Sequence, residues 1–87
     1  MTVKIMKFQA EWCQPCKIMS TMMGDADLGV PVVVVDIDDH PEMVQKFGVR
    51  GIPTLILTRD DEELSRKVGV VDIENLKSWV TLTLLSA

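Results

Sequence analysis

The sequence predicts one α/β domain over residues 1–87, in which a four-stranded mixed sheet is flanked by three helices. Three observations support this fold class. The length of 87 residues is enough for one hydrophobic core and little else. Hydrophobic residues make up 47% and charged residues 25% of the chain, which is typical of a globular protein and excludes a disordered tail. Strand-like and helix-like segments follow one another in the order βαβ, short helix, ββ, helix.

The first half of the chain predicts two strands joined by a helix. Residues 2–8 alternate in hydropathy and predict a strand. Residues 15–23 predict a helix that ends at Gly24, with an apolar stripe formed by Ile18, Met19, Met22 and Met23. Residues 31–37 are an almost continuous β-branched run, so we expect a strand that is buried on both faces of a parallel sheet. The connection between the two strands should be a right-handed crossover.

The second half predicts a short helix, a hairpin and a final helix. The short helix is expected over residues 41–47, with a proline at its first position and a glycine after its end. Residues 54–58 and 64–68 predict two antiparallel strands joined by a polar turn. Asp72 can cap the last helix, which starts at the next residue.

Charge and hydropathy exclude several classes of partner. The net charge is −4, and the nine lysines and arginines are spread along the chain, so nothing indicates a nucleic-acid interface. No apolar run reaches the length of a membrane span, and the first ten residues do not have the pattern of a signal peptide. We therefore expect a cytoplasmic protein that binds neither nucleic acid nor membranes.

The two cysteines carry the chemistry that the sequence predicts. Cys13 and Cys16 lie between the first strand and the first helix. At the start of a helix, unpaired backbone N–H groups and the helix dipole favour a thiolate at Cys13, and a thiolate is the species that attacks disulfides. Cys16 is close enough to form a bridge with Cys13 and to release a client from a mixed disulfide. Pro15 restricts the loop between them.

Two alternatives for this pair are a structural role and a metal site. In the structural role, the two cysteines would be half-buried and chemically inert, and the position between a strand and a helix would serve no purpose. A zinc site needs two further ligands, and the chain offers no third cysteine and only His40. The acidic residues Asp36, Asp38 and Asp39 lack the glycine and the distal glutamate of a calcium loop, so we interpret them as the solvated end of a strand. We expect no metal.

Three segments, in this order, resemble the thioredoxin family. Residues 10–17 (AEWCQPCK) are similar to the active-site segment of that family, whose usual form has glycine in place of Gln14. Residues 47–54 (FGVRGIPT) resemble its second signature, which contains a cis-proline. Residues 67–69 (KVG) resemble its third, a glycine that faces the active site.

The resemblance implies a thioredoxin-like fold that lacks the family's usual N-terminal strand and helix. It implies a protein disulfide reductase, a thiol–disulfide oxidoreductase that acts by dithiol–disulfide exchange through Cys13 and Cys16. The Ile52–Pro53 bond would be cis, with Pro53 packed against the cysteines as part of the catalytic site. An apolar rim that docks client proteins would be formed by Trp12, Gly51, Ile52 and Gly69.

The resemblance also implies partners. Protein disulfides would be the clients, and an NADPH-dependent flavoprotein, thioredoxin reductase, would supply the electrons. No bound cofactor is needed because the two thiols carry the electrons themselves. We expect a monomer, and the shortened fold favours an origin in a phage or a mobile element.

Lys7 departs from the family pattern. Strand alternation places it on the same face as Val3 and Ile5, and the resemblance places it beneath Cys16, where the family has a buried aspartate whose lysine partner falls at Val34. An ammonium there would favour thiolates, whereas burial would press Lys7 toward its neutral form. In the alternative interpretation, Lys7 reaches solvent through the space left by the missing elements. Proton transfer at Cys16 would then fall to Glu11, a water or Lys7 itself.

Two other functions remain open at this point. The short chain favours a glutaredoxin-like enzyme served by glutathione, but Trp12, the Gln14–Pro15 pair and the Ile52–Pro53–Thr54 segment are unlike glutaredoxins. The chain could also be a non-catalytic partner module that uses the thioredoxin fold. Loss of both cysteines would leave the function of such a module intact.

Overall fold

Four strands and three helices follow one another in the predicted order. The computed structural model describes residues 1–87. The elements are β1 (Val3–Gln9), α1 (Gln14–Met23), β2 (Val32–Asp36), α2 (Pro41–Phe47), β3 (Thr54–Arg59), β4 (Glu62–Val68) and α3 (Ile73–Ser86). No helix has both the length and the apolar character needed to cross a bilayer.

The strands form one mixed sheet in the order β2-β1-β3-β4, which confirms the predicted fold class. The central strand β1 is parallel to β2 and antiparallel to β3, and β3 and β4 form an antiparallel hairpin. The hairpin turn is tighter than predicted, because only Asp60 and Asp61 separate the two strands. Both residues have positive φ angles, 52° and 68°, as two-residue turns of this hand require.

The helices pack on both faces of the sheet. Helices α1 and α3 cover one face, where the core contains Ile5, Met19, Met23, Leu28, Leu55, Leu57, Leu76, Trp79 and Val80. Helix α2 covers the other face, where the core contains Met6, Phe8, Val35, Phe47 and Ile56. The odd-numbered residues of β1 therefore face α1 and α3, as the alternation predicts.

The expectation that the valine strand is buried on both faces is wrong. Val32, Val33 and Val34 are 37%, 43% and 56% exposed, and only Val35 is buried. The reason is that β2 pairs with β1 alone and lies at the edge of the sheet. A β-branched run reports strand propensity, and burial depends on neighbours that this strand lacks on its outer side.

The apolar stripe of α1 is also narrower than predicted. Met19 and Met23 are buried together with Cys16, whereas Ile18 and Met22 are exposed. The helix thus directs one narrow face toward the sheet, and the second cysteine lies on that face.

The sheet brings together the segments that hold the two cysteines and the predicted docking residues. Because β1 and β2 are parallel, the segments after them lie at the same end of the sheet, and β3 begins at that end. The backbone N–H of Ile37 donates to the carbonyl of Gln9 at 3.0 Å, which fixes these two segments side by side.

Candidate active site

The two cysteines form a disulfide at the N-terminus of α1. Cys13 is the N-cap residue, in extended conformation, and its Sγ accepts a hydrogen bond from the backbone N–H of Cys16 at 3.2 Å. The two Cα atoms are 5.2 Å apart, so the bridge needs no movement of the backbone. Cys13 is 5% exposed and Cys16 is 1% exposed. The first sulfur therefore lies nearer to solvent, in the field of the helix N-terminus.

The loop before β3 forms the wall opposite the cysteines. The Ile52–Pro53 bond is cis, as the resemblance implied. The carbonyl oxygen of Ile52 lies 3.9 Å from the Sγ of Cys13, and Pro53 is fully buried. The backbone N–H of Gly69, just after β4, donates to the carbonyl of Pro53 at 2.9 Å. The end of the hairpin thus anchors the proline loop beside the disulfide.

An apolar groove lies next to this wall. It has a volume of about 240 Å³ and is lined by Trp12, Ile37, Val44, Val49, Arg50, Gly51 and Ile52. Ile37 and Ile52 also pack against the cysteine pair, so the groove adjoins the disulfide. Three of the four predicted docking residues therefore line one groove, whereas Gly69 does not line it and is joined to Pro53 by a backbone hydrogen bond.

Trp12 is held in place by a residue that sequence reasoning treated as a solvated strand end. The indole of Trp12 is 65% exposed, and its Nε1–H donates to Oδ2 of Asp38 at 2.9 Å. An exposed tryptophan with a fixed ring plane offers a large apolar contact surface beside the sulfur atoms. The parallel pairing of β1 and β2 was the signal that could have located Asp38 next to Trp12.

Lys7 lies beneath α1 and does not extend into solvent. The residue is 3% exposed, lies opposite Val34 in the sheet, and its Nζ forms a hydrogen bond with Oγ of Ser20. Burial removes the ammonium from water and so lowers the pKa of Lys7. No carboxylate lies within ion-pair distance of its Nζ. Ser20 was not identified from the sequence, although it lies one helical turn after Cys16.

The metal-site alternative finds no support in the geometry. No three side chains of the histidine, cysteine, aspartate or glutamate type converge in a metal-binding arrangement. His40 precedes α2 and contacts Glu42 at 3.5 Å.

Comparisons with known proteins agree with this geometry. The family model Thioredoxin matches residues 2–82. Thioredoxin from Chlamydia caviae is 41% identical over 75 residues, covering 83% of this chain and 74% of that protein. Among solved structures, a single-residue mutant of a thioredoxin from Halobacterium salinarum NRC-1 superposes with a TM-score of 0.84 at 30% identity, over 93% of this chain and 74% of that one.

A second solved structure, described as that of a malarial protein, has a TM-score of 0.82 at 31% identity. The match covers 97% of this chain and 99% of that one, so the four-stranded architecture also occurs in another chain of similar extent. The family match, the sequence identities and the superposed folds agree with the resemblance carried by the three sequence segments. The chain belongs to the thioredoxin family and is a thiol–disulfide oxidoreductase that reduces protein disulfides through Cys13 and Cys16.

Proposed function

We propose that Cys13 is the attacking thiolate and Cys16 the resolving thiol of this reductase. The observation that carries the assignment is the position of Cys13 as N-cap of α1, where its sulfur accepts the backbone N–H of Cys16. That hydrogen bond and the helix dipole both stabilise negative charge on Cys13. Cys16 lies deeper, on the buried face of the helix, and becomes reactive only toward a sulfur already held by Cys13.

The reaction proceeds in two exchanges. The Cys13 thiolate attacks one sulfur of the client disulfide, a Cys13–client bond forms, and the first client thiolate leaves. Cys16 loses its proton and attacks the sulfur of Cys13, the intramolecular disulfide forms, and the second client thiolate leaves. Two electrons pass from the protein dithiol to the client. The Cys13–Cys16 disulfide in the structure is the product of these two exchange steps.

The client docks along the apolar groove and the proline loop. Trp12 supplies an exposed ring surface, Ile52 adds an apolar side chain to the adjoining wall, and Gly51 has no side chain that would block an approaching chain. The 2.9 Å hydrogen bond from Gly69 to the carbonyl of Pro53 anchors the loop that carries this wall. Contact with these residues would bring a client disulfide to the Sγ of Cys13.

Lys7 takes part from beneath the helix. Its buried amine lies on the sheet next to α1, and no carboxylate lies within ion-pair distance of it. A neighbouring amine can lower the energy of a thiolate as a cation, or accept the thiol proton when it is neutral.

The electrons come from outside the protein, and the reaction takes place in a reducing compartment. An NADPH-dependent flavoprotein reductase returns the disulfide to the dithiol, in the cytoplasm, where thiols are kept reduced. Each molecule carries both cysteines, so a monomer suffices for the exchange.

Insulin reduction with three electron donors tests this proposal. The wild type and a Cys13→Ser/Cys16→Ser double variant are compared with dithiothreitol, with glutathione, and with NADPH plus a thioredoxin reductase. We expect the wild type to work with dithiothreitol and the reductase, and the double variant to be inactive. Activity with glutathione alone would favour the glutaredoxin-like alternative, and equal performance of the double variant in every arm would contradict the dithiol mechanism.

A further inference from the structure

Ser20 lies between the buried amine and the resolving cysteine. It follows Cys16 by one turn of α1, at the edge of the buried helix face, where the residue is exposed to solvent while its Oγ contacts the Nζ of the buried Lys7 on β1. Cys16 and Ser20 line one cavity of about 200 Å³, together with Gln9, Ala10, Glu11 and Lys17. Ser20 and Lys7 line a second, larger cavity of about 490 Å³ on the other side of the serine. The serine hydroxyl is the polar group shared by both cavities.

We propose that Ser20 relays the proton of the Cys16 thiol to the amine of Lys7 during the resolving step. The inference rests on the proposed dithiol mechanism and assigns its proton acceptor. The Cys16 S–H proton passes toward the Ser20 hydroxyl, whose own proton passes to the neutral Lys7 amine. Cys16 then bonds to the sulfur of Cys13, the bond between Cys13 and the client breaks, and the client leaves as a thiolate that solvent protonates. Lys7 returns its proton to solvent afterwards.

The space between Cys16 and Ser20 is suited to a short relay. The cavity that they share has room for several water molecules, each of which occupies about 30 Å³ in the liquid. A hydroxyl can donate and accept at the same time, which a relay requires. The hydrogen bond between the Lys7 Nζ and the Ser20 Oγ completes the path to the amine.

The surroundings of Lys7 favour an amine that can accept a proton. An ammonium has three N–H donors, and the contact with Ser20 is the side-chain hydrogen bond that its Nζ makes. Burial lowers the pKa of Lys7, which raises the neutral fraction. Asp25 and Asp27, in the loop after α1, line the same cavity as Lys7. A carboxylate near an amine favours the charged ammonium form, so these two residues oppose the effect of burial. From β2, only the apolar Val32 and Val34 line this cavity.

Two charged residues line the cavity that Cys16 shares with Ser20. Glu11 precedes the cysteine motif, and Lys17 follows Cys16 on α1. Both side chains belong to exposed residues. The carboxylate of Glu11 is a competing proton acceptor, so the test includes its removal.

The two-step reaction with 5,5′-dithiobis(2-nitrobenzoate) separates the proposed relay from the first attack. Reduced protein releases one nitrothiobenzoate when Cys13 attacks and a second when Cys16 closes the intramolecular disulfide. The rate of the second release is measured from about pH 6 to about pH 9. The variants are Ser20→Ala, Ser20→Thr, Lys7→Met and Glu11→Gln, and Thr21→Ala is the matched control on the same helix.

We expect Ser20→Ala and Lys7→Met each to slow the second release at neutral pH by about tenfold or more, since a positioned base contributes about 10²–10⁴-fold and solvent replaces part of it. The loss should shrink at high pH, where solvent removes the thiol proton. Ser20→Thr, which keeps a hydroxyl, should restore the rate, and Thr21→Ala and Glu11→Gln should match wild type. The first release should be unchanged in Ser20→Ala, Ser20→Thr and Thr21→Ala.

Three results would overturn the relay. Wild-type rates for Ser20→Ala across the pH range would remove Ser20 from the path, even if Lys7→Met were slow, because Lys7 would then act by charge alone. A slow second release in Glu11→Gln with normal Ser20→Ala would assign the proton to Glu11. Absence of a second release in the wild type would overturn the dithiol mechanism itself, which distinguishes its failure from that of the relay.

Discussion

Replacing Cys16 with serine should convert the reductase into a trap for its clients. The variant keeps Cys13 at the N-cap of α1, so the first attack on a client disulfide still occurs. It loses the thiol that would release the client. The mixed disulfide between Cys13 and the client then persists until an external thiol removes it.

The size of the effect follows from the geometry of the pair. The Cα atoms of Cys13 and Cys16 are 5.2 Å apart on one rigid turn, so the resolving thiol is held beside its target. Well-oriented intramolecular reactions reach effective concentrations of about 10⁵–10⁸ M. Even an effective concentration of about 1 M, far below that range, exceeds a typical external thiol at about 1 mM by about 10³-fold. We therefore expect release to slow by at least about three orders of magnitude.

The assay is a non-reducing gel with mass analysis after reduced Cys16→Ser protein meets insulin without added thiol. A covalent adduct of the protein and one insulin chain should accumulate and disappear on addition of dithiothreitol. The Cys13→Ser variant is the matched control and should form no adduct through position 13. If Cys16→Ser turned over insulin as fast as the wild type without added thiol, the two-cysteine reasoning would be refuted.

Three further predictions concern accessibility, pH and stability. Limiting iodoacetamide should label Cys13 before Cys16 in the reduced protein, because Cys13 lies nearer to solvent at the helix start; labelling of Cys16 first, seen by peptide mass analysis, would reverse the assigned roles. Lys7→Met should raise the free energy of unfolding in urea at neutral pH. Burial lowers the pKa of Lys7, so the unfolded chain binds more protons than the folded chain between that lowered pKa and 10.5. The free energy of unfolding of the wild type therefore rises with pH through this window, and the stability advantage of Lys7→Met should shrink. A difference between the two proteins that does not change with pH would contradict this. Asp72→Ala removes the cap whose carboxylate accepts the N–H of Asn75 at 2.8 Å, and should cost about 1 kcal/mol, or about 4–8 °C in Tm by circular dichroism; an unchanged Tm would show that the cap does not stabilise α3.

The parts of the fold that local patterns determine could be predicted from the sequence. The alternation of β1 placed Val3, Ile5 and Lys7 on one face, and the structure has them there. The cap at Asp72 and the start of α3 at the next residue were also predicted correctly. These features depend on side-chain period and on hydrogen bonds between near neighbours, both of which are visible in one sequence.

The features that were missed depend on which elements are neighbours in space. The valine run of β2 looks like a buried strand, but its exposure follows from its place at the sheet edge, which the run itself does not encode. The contact of Trp12 with Asp38 joins two loops that the parallel pairing of β1 and β2 brings together. The contact between Ser20 and Lys7 depends on how α1 packs on the sheet, which no local sequence pattern determines.

The most direct test of the central claim is the thiol balance of a single turnover. Reduced protein, freed of reductant, is mixed with an equimolar amount of insulin. The mixture is quenched with iodoacetamide, and the masses of both proteins are measured by mass spectrometry. The account predicts that Cys13 and Cys16 lose both alkylatable thiols as an intramolecular disulfide, with the same number of thiols appearing on insulin for each disulfide cleaved. Insulin cleaved while both cysteines stay alkylatable, or no cleavage by fully reduced protein, would contradict the account.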